Sequence, residues 1–418
     1  MNPSKFLKAS GHWSSTIITL GRLISVASTV LTSSLIARNL GPEIQGRIVS
    51  VLTIGLICST VLSLSIDQTF FTQYSANKNH KQLAANSFVV VLALFLVGII
   101  TLFLGMSFAS SFLPFSFLEM IFFLIILFSY LINSLSVSLF LLEGKIHLYL
   151  FLILSQTFFI LITVFVLLQF DQLDLESSLF AYAVNLFLSA IFCILFSKPR
   201  VSVLSIRLQK DLILGGVKYH LGTLARFLHF RVDIVLLAMY VDFQSVAIYS
   251  IAVSFVELLF VFTDSLANSK LQAIASKSLG EAYRISQSLV RSGFTLGLTY
   301  CLGLLIFGKF AIDILFGSKY IESGNIMLYF IPGILVLATS RGTYAFCTRL
   351  NSPIKVNLFS IASLFMNIAL NLFLIPKYGA TGAAISSTLS YSLLGFFYLS
   401  WFYGAQKGFV NVDFKVRF

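Results

Sequence analysis

Twelve apolar stretches, each about as long as a bilayer-crossing helix, follow one another along this chain and leave little room for anything else. A hydrocarbon core about 30 Å thick needs around 20 consecutive apolar residues in a helix. The runs 15–37, 46–66, 83–104, 117–141, 148–170, 177–196, 212–241, 246–266, 289–307, 325–347, 356–375 and 379–403 meet that requirement. Barrel strands would be about 10 residues long with alternating polarity, and these runs do not alternate. The fold expected is therefore all-α: a polytopic membrane protein of about twelve transmembrane helices. The composition agrees, since 58% of residues are hydrophobic and 11% charged, too few charges to cover a surface facing water. The first run continues through Arg22 to Ala37, longer than a cleaved signal core, and reads as a membrane helix. The connections are short, so binding or chemistry has to occur within the helical bundle or at its rims.

The net charge of +12 does not point to nucleic acid, because the basic residues are sorted by side. With the N-terminus in the cytoplasm, Lys5, Lys8, Lys78, Lys81, Lys145, Lys198, Arg200, Arg207, Lys210, Lys270, Lys277, Arg284, Arg291, Arg349, Lys355, Lys407, Lys415 and Arg417 share that side. Arg38, Arg47, Lys309, Lys319 and Lys377 lie on the other. This bias predicts cytoplasmic N- and C-termini and an even number of spans. The basic loop 197–211 separates six spans from six, which predicts two lobes, 1–204 and 205–418. Such lobes keep one orientation and would form a parallel repeat. Leu35-Ile36-Ala37 before Gly46 and Leu236-Leu237-Ala238 before Ala247 repeat one spacing. Cys58, Cys193, Cys301 and Cys347 sit in apolar runs without metal-site spacing and read as small core residues.

Several strings resemble a known family. The turn Ala37-Arg38-Asn39-Leu40-Gly41-Pro42-Glu43-Ile44-Gln45-Gly46 resembles the R-x-LG-P-x3-G turn of Wzx-type polysaccharide flippases. These belong to the multidrug/oligosaccharidyl-lipid/polysaccharide (MOP) exporter superfamily. Arg231-Val232-Asp233, then Ala247-Ile248-Tyr249-Ser250, fit the same pattern, as does the string from Asn371 through Leu374-Ile375-Pro376 and Tyr378-Gly379 to Gly382-Ala383-Ala384. The strings stand in family order over nearly the whole chain. Physically they are turn and packing devices: Gly41 accepts positive φ, Pro42 fixes φ, and Gly379 and Gly382 let a helix start close to a neighbour. The resemblance implies two six-helix lobes around a central cavity, as in MATE exporters, and a cargo of undecaprenyl-pyrophosphate-linked glycan. It also implies a bacterial inner membrane, neighbours among polysaccharide assembly proteins, no bound cofactor, and an H+ or Na+ gradient as the energy source.

Ionisable groups at membrane depth face a cavity or a partner. Arg22 shares a helix face with Ser25, Thr29 and Ser33. In the seventh run, Lys218, Gly222, Arg226, His229 and Asp233 fall within an arc of about 80° if the helix is continuous, while His220 and Arg231 point elsewhere. In the eighth, Ser250, Ser254, Glu257, Val261, Asp264 and Asn268 form one stripe. Arg341 is a further cation in the tenth run. Arg22, Lys218, Arg226 and Arg341 are thus candidates for binding an anionic cargo. Glu257, Asp264 and Asp233 are candidates for ion coupling, with Glu257 foremost and an arginine of the seventh run, Arg226 first, as its partner.

No zinc-hydrolase, phosphate-loop or nucleophile-elbow motif is present, so the chain reads as a transporter rather than an enzyme. Two other readings compete with a flippase. A MATE-type cation-coupled exporter would carry cationic drugs, which sits badly with Arg22, Arg226 and Arg341. A polysaccharide polymerase or ligase would need a large external loop, and no run between spans is long enough.

Overall fold

The computed structural model describes residues 12–76, 80–109, 116–199, 204–350 and 353–415. Lys5, Lys8, Lys78, Arg200 and Arg417, part of the loop 197–211 and both chain ends lie outside that description. Among the described residues the chain is helical, with short connections and no strand. The helices are α1 His12–Leu62, α2 Ile66–Ala76, α3 His80–Ala109, α4 Phe117–Leu142, α5 Ile146–Gln169, α6 Leu175–Ser197 and α7 Ile206–Leu228. They continue with α8 Val232–Tyr240, α9 Phe243–Ser269, α10 Leu271–Ser276, α11 Leu279–Phe316, α12 Ile321–Ser340, α13 Tyr344–Arg349 and α14 Pro353–Lys415. Nine helical stretches of the described residues are long and apolar enough to cross a membrane.

Two of those stretches are double spans bent at a glycine. Helix α1 turns at Gly41, which has φ 82° and precedes Pro42, and α14 turns at Gly379, with φ 55°. Both are left-handed positions where a Cβ would be strained, so the two glycines divide long apolar sequence into pairs of spans at the predicted places. The return stroke of α14 also needs Gly382. A Cβ there would lie 2.4 Å from the Leu374 carbonyl oxygen.

The seventh run departs from expectation. Instead of one helix over 212–241, the chain leaves helical geometry at residues 229–231, between α7 and α8. No Gly or Pro lies in that turn. His229, Arg231 and Asp233 each take a side-chain partner from another helix, and those bonds replace helix continuity. Non-helical backbone is tolerated at membrane depth where protein buries it.

The packing divides the chain into two compact units, one containing Thr16–Phe227 and Asp242–Gln244, the other Leu228–Val241 and Ser245–Phe418. The division falls inside the seventh run, later than the 204/205 boundary expected from the sequence. In the first unit α6 packs on both α4 and α5, around a core that includes Leu131, Leu135, Phe140, Tyr149, Leu152 and Leu212. In the second, α12 packs on both α11 and α14, and α8 lies against α14. Large apolar side chains such as Ile100, Leu195, Phe307, Phe365 and Phe396 remain exposed, as a lipid-facing surface requires and a water-facing one does not tolerate over so wide an area. The chain is a multi-pass membrane protein.

Candidate functional site

In the first unit, α1 presents Arg22 and Thr29 exposed, with Ser25 and Ser33 half-buried, along the predicted face. The Arg22 Nε donates to the Tyr149 hydroxyl at 3.0 Å. That partner is a neutral phenol, which fixes the guanidinium without neutralising it. On α7, Lys218 is exposed, Gly222 buried and Arg226 half-buried, and an Arg226 Nη donates to the Thr223 hydroxyl at 3.4 Å. His220, predicted to point away from that face, meets the Ser65 hydroxyl through Nδ1 at 3.2 Å. The first unit also holds a pair that sequence reasoning missed. Glu119, buried at the start of α4, receives Arg47 Nε at 2.7 Å and Nη2 at 2.8 Å, together with the Ser116 amide.

The second unit gathers most of the polar chemistry around the unwound turn. Arg231 grips Glu257 with both guanidinium nitrogens, at 2.5 and 2.9 Å, and also donates to the Phe230 carbonyl at 3.2 Å. The partner of Glu257 is thus an arginine of the seventh run, and it is Arg231. The wheel that turned Arg231 away from the cationic face assumed an unbroken helix, and the turn at 229–231 resets its phase. The same turn splits the predicted cationic face: Lys218, Gly222 and Arg226 belong to the first unit, His229 and Asp233 to the second.

Asp233 is buried, and all its hydrogen-bond partners are neutral. Its carboxylate accepts from the Tyr249 hydroxyl, from the Ser387 hydroxyl at 3.0 Å and from the Ile234 amide at 2.9 Å. From Ser387 the contacts run onward along α14. Asn367 donates to Ser387 and Ser390 at 3.4 and 3.2 Å, and Asn371 donates to Asn367 at 3.0 Å. Ser390 meets His229 Nε2 at 2.9 Å. His229 Nδ1 and the Asn371 side-chain oxygen are buried without a hydrogen-bond partner among the described residues.

Helix α9 carries its predicted stripe as drawn: Ser254 and Asn268 are exposed and Ser250, Glu257, Val261 and Asp264 half-buried, while Val256, Leu259, Phe260 and Thr263 turn inward. Arg341 opens a 3-10 turn at residues 341–343 after α12. It pairs with Asp264 at 3.3 Å and lies over the rings of Phe260 and Phe230, 4.7 and 5.8 Å from their centroids. A proposed cargo-binding cation and a proposed coupling acid are thus each other's partners. Tyr249, Ser387, Ser390, Asn367 and His229 were not singled out from the sequence as site residues. The legible signal was Asn at i and i+4 in an apolar run, Asn367 and Asn371, facing a serine-rich one.

No protein-family model and no curated protein sequence matches the chain. Solved structures do match its fold. It resembles a multidrug resistance MATE family transporter of the MOP superfamily in the inward-facing conformation, at 12% identity over 93% of this chain and 98% of that one, with a TM-score of 0.74. It is also similar to the lipid II flippase MurJ in an inward closed conformation, at 13% identity over 92% of this chain and 87% of that one, with a TM-score of 0.75. A MATE structure in the bent conformation aligns at 12% identity over 96% of each chain, with a TM-score of 0.64. The chain has the all-helical fold of MATE transporters and MurJ.

Proposed function

We propose that the protein is a flippase for undecaprenyl-pyrophosphate-linked oligosaccharide, moving O-antigen or other surface-polysaccharide repeat units from the cytoplasmic to the periplasmic leaflet of a bacterial inner membrane by alternating access. Both termini are cytoplasmic in this reading. The observation that carries it is Arg22: a guanidinium on a hydroxyl-lined face of a membrane helix, held by the Tyr149 phenol rather than by a carboxylate. A pyrophosphate needs cationic donors, and such hydrogen bonds are strongest where water is scarce. A cationic drug would be repelled there, which disfavours the exporter reading. The fold, alike to a MATE transporter and to a protein described as a lipid II flippase, accommodates this reading, and the choice between the two rests on the charge of the site.

Coupling to an H+ or Na+ gradient is part of the proposal, and the geometry favours Asp233 over Glu257 and Asp264. Glu257 and Asp264 already hold Arg231 and Arg341, whereas the hydrogen bonds that Asp233 accepts come from the neutral Tyr249, Ser387 and Ile234 donors. The test is leaflet accessibility of a lipid-pyrophosphate-linked oligosaccharide in proteoliposomes. Arg22→Ala should slow flipping at least about tenfold, the equivalent of ~1.4 kcal/mol, with Arg22→Lys intermediate. Asp233→Asn should flatten the dependence of rate on pH or sodium. Wild-type flipping by Arg22→Ala would end the anion-binding role. Transport of cationic dyes instead would favour the exporter. Deleting the gene and identifying the surface polysaccharide lost would name the cargo.

A further inference from the structure

Four basic residues of the second unit, Lys270, Lys277, Arg284 and Arg291, follow one another at intervals of seven residues. All four are exposed, and among the described residues none of their side chains joins an ion pair. The only acid between Ser269 and Arg291 is Glu281. It is occupied at the helix start, where its carboxylate accepts from the Ser278 hydroxyl at 3.2 Å and its amide donates back to that hydroxyl.

The backbone that displays these cations is firmly held. Arg349 donates one Nη to the Ile274 carbonyl and the other to the Lys277 carbonyl at 2.7 Å, tying down the elbow that α10 makes between α9 and α11. Ile274 is buried, and Tyr283 stacks on Phe402 with 4.5 Å between centroids and 13° between planes. Leu271 and Leu279 are exposed beside the basic residues, at 50% and 39%.

Length places this elbow at a membrane boundary. Helix α11 has 38 residues, so it is about 57 Å long at 1.5 Å per residue, far more than the roughly 30 Å that the hydrocarbon core requires. The apolar run 289–307 fills the core and leaves Arg291 at its margin. Arg284 lies one interval, about 10 Å, further out on the same helix face, so the two span the headgroup layer.

We propose that Lys270, Lys277, Arg284 and Arg291 form a strip that binds the headgroups of anionic phospholipid in the adjoining leaflet, retaining them in preference to zwitterionic lipid. This rests only on the chain's crossing a membrane and is independent of the cargo. A strip of alternating charge would be indifferent to headgroup; this one carries four cations to one acid, and Arg349 holds its backbone at Ile274 and Lys277.

The experiment uses the full-length protein equilibrated with equimolar phosphatidylglycerol and phosphatidylcholine. Retained lipid is counted by native mass spectrometry. The wild type should retain phosphatidylglycerol preferentially. Arg284→Gln, Arg291→Gln and their combination with Lys277→Gln should lower that preference by about fivefold for each cation removed, and salt should weaken it in the wild type by screening. The control Lys309→Gln with Lys319→Gln, near and just past the far end of α11, removes as many charges as Arg284→Gln with Arg291→Gln and should leave the preference unchanged. A wild-type preference kept by the triple variant, a loss in the control equal to that of the Arg284/Arg291 double variant, or a wild-type preference indifferent to salt would each overturn the proposal. Displacement of the lipid by inorganic phosphate at the same concentration would overturn it too, showing a site for free phosphate rather than for a membrane headgroup.

Discussion

The pair between Arg231 and Glu257 should be a major stabilising contact of the second unit, and its size can be bracketed. Breaking a fully buried ion pair costs about 3–5 kcal/mol, and a fully exposed pair is worth roughly 0–1 kcal/mol. The side chains here are 26% and 30% exposed, and the contact is a two-pronged fork, so a coupling of about 2 kcal/mol is expected, between those limits. Arg231 carries a second task, donating to the Phe230 carbonyl in the unwound turn. Arg231→Met should therefore cost more than Glu257→Met, about 3 against about 2 kcal/mol, because it strips a carbonyl of its donor as well as breaking the pair. The double variant should cost about 3 kcal/mol, well short of the sum. Reversible unfolding in mixed micelles, titrated with dodecyl sulfate and followed by circular dichroism, measures all four corners of the cycle. Additivity within about 0.5 kcal/mol would show that the two charges are energetically independent and refute the reasoning.

Three further outcomes follow from the same geometry. Gly382→Ala would set a Cβ 2.4 Å from the Leu374 carbonyl oxygen and 2.6 Å from its carbon. Backbone cannot rotate away, so thermal unfolding should show a loss of about 2 kcal/mol or more, in the range of overpacked cores. Asp233→Leu would remove the acceptor shared by the buried Tyr249 and Ser387 hydroxyls and leave them each other, 3.2 Å apart, at about 1–3 kcal/mol, whereas Asp233→Asn keeps an acceptor. A stability order with Asn below Leu would contradict this. Reporter fusions after Gln209 and Phe418 should read cytoplasmic and one after Asp171 periplasmic, and an external reading at Phe418 would overturn the even number of spans.

Much of the fold was legible because lipid imposes a simple code. Apolar length marks helices, and Gly41-Pro42 and Gly379 mark turns through backbone chemistry that no other residue types supply as cheaply. The face of α9 was legible too, since an unbroken helix keeps its period from Ser250 to Asn268. What could not be read was the break after Leu228. Local sequence contains no helix breaker there. The cause is tertiary: Ser390 on α14 takes His229, Glu257 on α9 takes Arg231, and Tyr249 and Ser387 take Asp233. Those partners lie 16 to 161 residues away. A helical wheel drawn through the break assigned Lys218, Arg226, His229 and Asp233 one face. It also set Arg231 apart with no partner, whereas three non-helical residues shift every later position on the wheel and bring Arg231 to Glu257.

The helix break and the polar cluster are one structure, and Arg231 shows why. In an apolar surrounding each backbone carbonyl needs a donor, and an unwound turn deprives its carbonyls of their usual ones. Arg231 answers both needs: its fork holds both Glu257 oxygens while Nη1 also reaches the Phe230 oxygen. A lysine keeps the charge but offers donors from a single nitrogen, so it cannot hold two carboxylate oxygens in a planar fork and a carbonyl together. Arg231→Lys should therefore behave more like a deletion than a conservative change, retaining less than about half of the ~2 kcal/mol coupling with Glu257 in the same micelle titration. It should also raise amide hydrogen exchange at residues 229–232, where the turn loses its donor. If the lysine variant matches the wild type in both measurements, charge alone holds this turn, and the fork geometry of Arg231 is incidental to it.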